Sequence, residues 1–369
     1  MRRHRGRVAV CSFIPPHMLE AIATQGDAAQ RGRAFLALDI SALLRGERQA
    51  LAAFPTLLGF STGEKRRTVY DARGEKKTPG GRVRGEEDGA SKDVAVNEAY
   101  DGSGMTYDFF KKVYGRNSID GRGLRLDSTV HYSKGFANAH WNGKQMVYGD
   151  GDGKIFGRFT ACLDVIGHEL THGITQNTAG LEYHDQSGAL NEHFSDVFGT
   201  LVKQYSLKQT ADKADLIVGA GLFTKNVNGV GIRSMKAPGT AYDDKVLGKD
   251  PQPAHMRNYL KTDADNGGVH KNSGIPNRAF YEAATLIGGK AWEVTGRIWY
   301  DALTRKLRKT STFQDCADAT FTAAGEMFGQ GSEPQKAVLA AWKVVGISVM
   351  PTLRVVPGIA MPGAAAEVP

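Results

Sequence analysis

The fold and the chemistry of this chain are decided by one stretch, Val165-Ile166-Gly167-His168-Glu169-Leu170-Thr171-His172. On an α-helix, His168 and His172 lie one turn apart on the same face. Two imidazoles so placed can bind one tetrahedral zinc ion, and the helix fixes their separation. Glu169 stands near the metal without binding it, where it can act as the catalytic base. Because this pentapeptide also occurs by chance, two surface histidines on a helix are the alternative until the surrounding sequence is considered.

A catalytic zinc site needs a third protein ligand and one open coordination position. A longer zinc motif would place glycine at position 175 and histidine at 178, but the chain has Thr175 and Thr178, which excludes that class. Glu192 lies downstream in the run 188–196 and can complete a set of two histidines and one glutamate. A solvated helix residue is the alternative, but a polar Asn-Glu pair inside an apolar helical pattern favours a ligand.

Two further groups of residues support the site. Asn191 and Asp196 are placed to accept hydrogen bonds from the ligand imidazoles, which would fix their tautomers. His270 follows a Gly-Gly-Val turn, five residues after Asp265. This arrangement is typical of an aspartate-oriented imidazole that donates to a developing oxyanion. Taken alone, a structural role for His270 is the alternative.

The composition limits the class of protein. The chain has 369 residues, of which 41% are hydrophobic and 23% charged, and this is typical of a soluble globular protein of two or three folding units. The net charge of +8 is concentrated in glycine-rich and polar stretches near residues 2–7 and 65–84, which argues against a nucleic-acid partner. No apolar run is long enough for a membrane helix, so we expect no membrane partner. Three cysteines give no disulfide framework.

The pattern along the chain indicates a separate N-terminal unit, a mixed region, a helical region and a tail. Residues 1–65 form the first unit, followed by a polar, basic linker at 61–93 that leads into a hairpin. The sequence predicts helices at 18–23, 33–38, near 41–44 and at 107–114, and strands at 128–132 and 145–148. From Ala161 to Gly346 it predicts a mostly helical chain. The Pro-, Ala- and Gly-rich residues 351–369 predict a disordered tail.

Several long motifs in the same order show that the chain resembles the thermolysin-like family of neutral zinc metallopeptidases. They are residues 138–143, 146–153, 168–172, 188–196, 233–235 and 265–274. The resemblance covers about Thr68 to Ser348. It implies an α+β fold with a β-rich N-terminal half, a helical C-terminal half and an active-site cleft between them. We predict a prosegment at 1–65, an N-terminal catalytic domain at 66–180 that includes the metal helix, and a helical catalytic domain at 181–350.

The resemblance also implies roles for individual residues. Tyr183 and His270, with Asp265 as the partner of His270, are similar to the groups that stabilise the tetrahedral intermediate. The residues expected to hold the substrate backbone are Asn138, Ala139 and Arg233. The residues expected to line the pocket for the side chain just after the scissile bond are Val165, Leu222 and Ile232. An apolar lining there favours a bulky hydrophobic residue.

The chain departs from the family pattern in its leader. The long family prosegment is replaced by a short one that contains Phe13-Ile14-Pro15-Pro16-His17-Met18-Leu19, which is similar to the short-prosegment subgroup typified by protealysin. We expect this segment to inhibit the enzyme by lying across the cleft until it is cut near residue 65, in the basic stretch 63–67. Two alternatives are a permanent domain that assists folding and a Cys11 thiolate that caps the zinc.

The second departure concerns calcium. Asp164 and Asp215 remain from the family's paired calcium site, but Lys203, Ile217 and Ala220 stand at other ligand positions. The stretch 227–231 also lacks the expected aspartate. A hard dication needs about six oxygen ligands, so we expect calcium to be absent or weakly bound.

The sequence therefore predicts a monomeric, zinc-dependent endopeptidase that is made as a zymogen and acts on peptides or proteins. Arginines precede the apolar run 8–14, as in a signal peptide, but Pro15-Pro16 ends this run too early, so a standard signal peptide is not expected. We predict secretion by another route, with a cytoplasmic location as the alternative. The competing hypothesis is a catalytically silent, zinc-stabilised binding protein, whose mark would be loss of Glu169, Tyr183 or His270. An aminopeptidase would need an acidic anchor for the substrate amine, and we find no such motif.

Overall fold

The structure, a computed structural model, describes residues 12–52 and 63–350, with the side chains of residues 12–43 and 63–350. Cys11 and the predicted tail at 351–369 lie outside the described residues.

Two helices form the described part of the leader. Helix α1 spans Pro16–Gln25 and begins directly after Pro15, where the missing N–H of a proline costs no helical hydrogen bond. Helix α2 spans Ala28–Ala52. The sequence-based prediction of separate helices at 33–38 and 41–44 is wrong, because no proline interrupts this run and an internal glycine costs only about 1 kcal/mol relative to alanine. One face of α2 carries the buried side chains of Ala34, Ala37 and Ile40.

A mixed five-stranded sheet follows, with strand order β2-β1-β3-β5-β4. The strands are β1 (Arg67–Asp71), β2 (Gly81–Gly85), β3 (Leu126–Val130), β4 (Ala139–Trp141) and β5 (Met146–Tyr148). The central strands β1, β3 and β5 are parallel, while β2 and β4 pair antiparallel at the two ends. Strand β4 is therefore an edge strand, and its free backbone groups can pair with another extended segment.

The start of the sheet bears on the predicted cleavage of the leader in the basic stretch 63–67. Lys65 forms an ion pair with Asp108 at 2.9 Å, and Arg67 begins β1 and pairs with Glu86 at 2.8 Å. These contacts tie the stretch to the sheet and to the long helix α3 (Val94–Tyr114). A cut that releases the leader is therefore expected on the N-terminal side of Lys65.

The C-terminal half is mostly helical, as predicted, but with one exception. Helices α4 (Leu163–Gln176) and α5 (Asp185–Leu207) follow a short 3₁₀ turn at Phe159–Ala161. The glycine- and aspartate-rich chain that comes next is not helical. It contains β6 (Ile217–Val218), β7 (Arg233–Ser234), β8 (Asp243–Asp244), β9 (Gly248–Lys249) and a 3₁₀ turn at Met256–Asn258.

The remaining helices complete the C-terminal half. They are α6 (Asp265–Asn272), α7 (Gly274–Ile287), α8 (Thr295–Asp301, continued by a π-helical turn at Ala302–Lys306), α9 (Phe313–Phe328) and α10 (Glu333–Val344). Within the described part of the chain, no helix combines the length and the apolar character needed to cross a membrane. The predicted α+β architecture is confirmed, with a sheet in the first half and helices in the second.

Candidate active site

The predicted metal ligands lie on α4 and α5, and these two helices pack unusually closely at a glycine. A Cβ atom on Gly199 of α5 would lie 2.5 Å from the carbonyl oxygen of Asp164 and 2.9 Å from the backbone nitrogen of His168. Distances this short are not found for real side chains. Only glycine at position 199 therefore lets the backbone of α5 approach the turn of α4 that carries His168.

The three predicted ligands converge between the two helices. The Nε2 atoms of His168 and His172 are 3.1 Å apart. The carboxylate of Glu192 lies 3.6 Å from each of them, through Oε2 to His168 and Oε1 to His172. All three side chains are buried. Although burial alone would raise the pKa of Glu192, the neighbouring histidines and Arg233 outweigh it and hold that pKa at about 2.

The surroundings of the two imidazoles show whether a metal would fit. Asp196 accepts from Nδ1 of His168 at 2.8 Å, and Asn191 accepts from Nδ1 of His172 at 2.8 Å. A metal binds the neutral imidazole, and in that form a donating Nδ1 leaves Nε2 to act as the ligand atom. Two Zn–N bonds of tetrahedral geometry would set the nitrogens roughly 3.3 Å apart. The donor set, buried and preorganised, therefore fits a zinc ion.

A carboxylate oxygen of Glu169 lies within 4.8 Å of a ring nitrogen of His168 and of His172, so this side chain borders the donor set. It is buried, and its Oε2 accepts from the backbone nitrogen of Trp141 at 2.9 Å. Trp141 ends the edge strand β4, so this bond aims the carboxylate towards the cleft side of the sheet. The contact to Trp141 was not predicted from the sequence, because a backbone donor leaves no side-chain signal.

Tyr183, His270 and Asp265 form a second cluster next to the ligands. The hydroxyl of Tyr183 lies 3.1 Å from Nε2 of His270 and donates to Glu192. Asp265 accepts from Nδ1 of His270 at 2.7 Å and from its backbone nitrogen at 3.0 Å. Burial lowers the pKa of His270, but the carboxylates of Asp265 and Glu192 outweigh it and raise that pKa to about 8. His270 is therefore held as a hydrogen-bond donor at neutral pH.

The backbone around Asp265 explains how it reaches His270. Asp265, Asn266, Gly267 and Gly268 all have positive φ, between 52° and 85°. A Cβ on Gly267 would lie 2.2 Å from Oδ1 of Asp185, so this position needs glycine for space as well as for conformation. Left-handed residues in such a run are strained and are found at functional sites. The turn brings the aspartate onto the imidazole five residues later.

Asp196 joins the metal site to the predicted substrate-binding arginine. Its Oδ1 accepts from His168, and both of its oxygens accept from Arg233, at 2.7 and 2.8 Å. Asn277 donates to Oδ2 at 2.8 Å. Burial would raise the pKa of Asp196, but Arg233 and His168 keep it well below its usual range. Sequence analysis missed Asn277, which lies outside every motif.

The leader lies in the cleft next to these residues. The backbone nitrogen of Phe13 donates to the carbonyl oxygen of Ala139 at 3.0 Å. Ile14 exchanges two hydrogen bonds with the side chain of Asn138, at 2.8 and 3.3 Å. The ring of Phe13 is fully buried and meets the ring of His168 edge-on at 5.3 Å. Two of the residues predicted to hold a substrate backbone, Asn138 and Ala139, thus bind the leader backbone.

The pocket around Phe13 includes one residue that the sequence did not suggest. A Cβ on Gly219 would lie 3.2 Å from the ring of Phe13 and 2.9 Å from Cγ1 of Ile232. Leu222 and Val165 are fully buried, and Leu222 donates to the carbonyl of Gly219 at 3.1 Å. The segment that contains Gly219 therefore forms a wall of the pocket that Phe13 fills.

The predicted remnant of a calcium site holds a lysine. Nζ of Lys203 lies 3.2 Å from Oδ2 of Asp164, 3.0 Å from Oδ1 of Asp215 and 2.9 Å from the carbonyl oxygen of Ile217. Burial lowers the pKa of Lys203, but Asp164 and Asp215 outweigh it and raise that pKa above its usual value. A permanent ammonium group thus occupies the space between the two carboxylates.

A buried set of two imidazoles and one carboxylate, with a further carboxylate beside it, defines a mononuclear metallohydrolase. Comparison with known proteins identifies the family of metallohydrolases to which the chain belongs. Residues 60–176 match the catalytic domain of the thermolysin metallopeptidases, and residues 179–347 match their α-helical domain. The chain belongs to the thermolysin family of metallopeptidases and is a zinc metalloendopeptidase.

Individual relatives place the chain more narrowly. It is 49% identical over 342 residues to an extracellular metalloprotease of Pectobacterium carotovorum, covering 92% of this chain and 97% of that one. It is 41% identical to a thermolysin of Bacillus caldolyticus, but spans only 46% of that protein's length. The solved structure of the protealysin precursor from Serratia proteamaculans matches with a TM-score of 0.84 and 51% identity, over 92% of this chain and 100% of that one. The resemblance to the protealysin-like subgroup is confirmed.

The geometry predicts one zinc ion per chain, which elemental analysis of the purified protein would measure. Glu169→Gln should keep the ion, because the side chain lies beside the donor set, but should lower turnover of casein by about a hundredfold or more once the leader has been removed. His172→Ala should lose the ion. Cleavage of casein by the Glu169→Gln protein at the wild-type rate would show that Glu169 is not the base.

Proposed function

We propose that this enzyme is made as a zymogen and hydrolyses peptide bonds on the N-terminal side of bulky hydrophobic residues. One observation carries the proposal: the chain's own Phe13 fills an apolar pocket beside His168 while its backbone bonds to Ala139. A protein substrate that offers a similar side chain just after its scissile bond would use the same pocket and the same backbone partners.

In the proposed reaction, His168, His172 and Glu192 hold the zinc ion. When bound, the ion would act as a Lewis acid, which polarises the peptide carbonyl and lowers the pKa of water at the site. Glu169 takes a proton from the attacking water and later gives it to the leaving nitrogen, so the C–N bond breaks as the C–O bond forms and the products are a carboxylic acid and an amine. Its hydrogen bond from Trp141 fixes the carboxylate for both transfers.

Tyr183 and His270 are proposed to stabilise the charge that develops on the carbonyl oxygen. The Tyr183 hydroxyl and Nε2 of His270 lie 3.1 Å from each other beside Glu192, so a carbonyl oxygen bound there would lie within reach of both groups. Asp265 fixes the imidazole so that Nε2 carries the donating proton. Donors that are already aligned cost no reorganisation during the reaction, which is why such groups act on the transition state.

We expect His270→Ala to lower kcat by on the order of a hundredfold, with little change in KM, because the lost donor acts mainly on the transition state. Steady-state kinetics on a peptide substrate, with leader-free enzyme, would measure both constants. Asn266 offers a control, because Asn266→Gly keeps the left-handed turn while removing a side chain that is not proposed to act. An effect of His270→Ala on KM alone would assign His270 to substrate positioning.

The leader is proposed to inhibit the enzyme by occupying the substrate cleft. The contacts of Phe13 and Ile14 support this role, and further contacts support a stable association. Nε2 of His17 lies 3.1 Å from the hydroxyl of Tyr242, Arg33 donates to the carbonyl of Asp152 at 3.2 Å, and Ser12 pairs with Ser41 at 3.2 Å within the leader. Burial, with Lys271 nearby, lowers the pKa of His17 to about 3, so this imidazole is neutral in the complex.

The test compares two phenylalanines of the leader. Phe13→Ala should weaken the inhibitory contact and shorten the lag before full-length protein becomes active, whereas Phe35→Ala removes an exposed ring and should not. In a Glu169→Ala background the chain should stay full length, and a trace of active enzyme should trim it on the N-terminal side of Lys65, as mass spectrometry would show. Full activity from protein whose leader is intact would rule out an inhibitory leader.

Calcium is proposed to contribute little to stability, because the ammonium group of Lys203 already lies between Asp164 and Asp215. The melting temperature at fixed zinc should then be unchanged by added calcium, since a ligand stabilises only in proportion to its binding. Lys203→Glu should restore at most a weak response, because Ile217 and Ala220 supply no carboxylate. A wild-type melting temperature that rises strongly with calcium would contradict this proposal.

Secretion and a monomeric state are also proposed. Secretion is supported by relatives that are named extracellular metalloproteases, in Pectobacterium carotovorum and, as a minor form, in Serratia marcescens. Fractionation of expressing cells would test the location, and light scattering of the purified protein would test the oligomeric state.

A further inference from the structure

Besides its two carboxylate partners, Lys203 contacts the backbone of a neighbouring segment. It lies on α5, and its ammonium group is bonded to Asp164 on α4, to Asp215 and to the carbonyl of Ile217. Its side chain is only 13% exposed, and that of Asp164 is 1% exposed. One cation therefore connects both metal-bearing helices to the start of the segment 215–222.

The same segment is held a second time through Asp164. Oδ2 of Asp164, which accepts from Lys203, also accepts from the backbone nitrogen of Gly219 at 3.0 Å. Two residues of one short stretch, Ile217 and Gly219, are thus fixed to a single buried ion pair. This stretch includes β6 and has few other side-chain bonds to α4 among the described residues.

Gly219 and its neighbours form the wall of the pocket that Phe13 fills. The backbone of Gly219 lies against both the Phe13 ring and Ile232, and Ile232 donates to the carbonyl of Val218 at 2.9 Å. Val218 also pairs with Arg233 across β6 and β7. A shift of the segment would therefore change the width of the pocket, while His168 and His172 are held from the opposite side by Asp196 and Asn191.

We infer that Lys203 is a positioning residue for the pocket that takes the side chain just after the scissile bond. Its ammonium group fixes the wall at Ile217 and Gly219, and so sets the preference for a large apolar side chain. The inference rests on the proposed endopeptidase function and concerns selectivity, not the hydrolytic step.

Removal of the Lys203 ammonium group should affect the pocket wall through the buried carboxylate of Asp164. Without Lys203, the buried carboxylate of Asp164 would keep, among the described residues, only the backbone donors of Val165 and Gly219 and would have lost its cation, and breaking one side of a buried pair is strongly unfavourable. Asp164 would then recruit water or change its orientation, and the bonds to Ile217 and Gly219 would be lost or weakened. The pocket wall would become mobile, and a large side chain would gain less from entering the pocket.

The experiment measures kcat and KM for two peptides that differ only in the residue after the scissile bond, phenylalanine or alanine. Each protein is expressed as the full chain and trimmed by a trace of active enzyme. We expect Lys203→Met to reduce the preference for phenylalanine roughly tenfold, as expected when an apolar pocket loses part of its fit. The loss should appear in KM for the phenylalanine peptide, with kcat nearly unchanged, because binding to this pocket is common to the ground and transition states.

Lys306 provides the matched control. It is 19% exposed and also joins two acids, Asp301 and Glu326, but it lies on the π-helical turn after α8. Lys306→Met should lower the melting temperature without changing the preference between the two peptides. Lys203→Arg keeps the charge and should restore most of the preference. A purely structural role for Lys203 would lower kcat for both peptides equally, through a smaller folded fraction, and would overturn the inference.

A second variant covers the case in which Lys203→Met does not fold. Asp164→Asn with Lys203→Met removes both charges, while an amide oxygen can still accept from Gly219. The bond to Ile217 is absent in this protein, so the preference for phenylalanine should still fall, though less than in a folded single variant. An unchanged preference in the double variant would overturn the inference. Wild-type protein that cleaves neither peptide would instead reject the proposed function itself.

Discussion

The close approach of α4 and α5 is the constraint on which the site depends. At Gly199 the backbone of one helix lies against the backbone of the other, because a Cβ there would overlap Asp164 and His168. Only at this separation can a glutamate on α5 reach the space between two histidines on α4. The ligand set is therefore a property of helix packing, and the buried position of Glu192 follows from the same contact. A larger residue at 199 would meet the backbone of His168 and push the two helices, and with them the donors, apart.

This packing also makes the site a single electrostatic unit. Asp196, on the same helix as Glu192, accepts from His168 and Arg233 and is buried completely. Its charge is balanced by Arg233, which in turn lies over the ring of Phe13 at 5.2 Å. The carboxylate that orients a metal ligand is thus the same one that holds a cation next to the occupied pocket. Buried pairs of this kind contribute little net stability, but they fix geometry when every partner is satisfied.

A feature of the site could be predicted from the sequence when its residues lie close together in the chain. The spacing of His168 and His172 defines a helix face, and Asp265 with His270 marks a tight turn, so both were recognisable in short stretches. Lys203 was recognisable because a cationic side chain stands at a position where the family has a calcium ligand. The backbone donor of Trp141, the wall at Gly219 and the partner Asn277 were missed, because contacts made through a backbone or across distant segments leave no pattern in the sequence. The single helix α2 was missed for a different reason: no proline interrupts its run of residues, and an internal glycine weakens a helix by only about 1 kcal/mol relative to alanine.

In the proposed function, substrate recognition and inhibition by the leader share one set of contacts. The backbone nitrogen of Phe13, which lies in a bend, donates to the carbonyl oxygen of Ala139 on the edge strand β4. The pairing cannot continue, because Pro15 and Pro16 have no N–H to donate and Pro16 already begins α1. Binding in the cleft is therefore confined to a short segment, whose side chain fills the pocket while the two leader helices keep it at high effective concentration. Such a segment needs little intrinsic affinity to block the cleft. Cutting the connection between the helices and the sheet removes that concentration advantage without changing any contact in the active site.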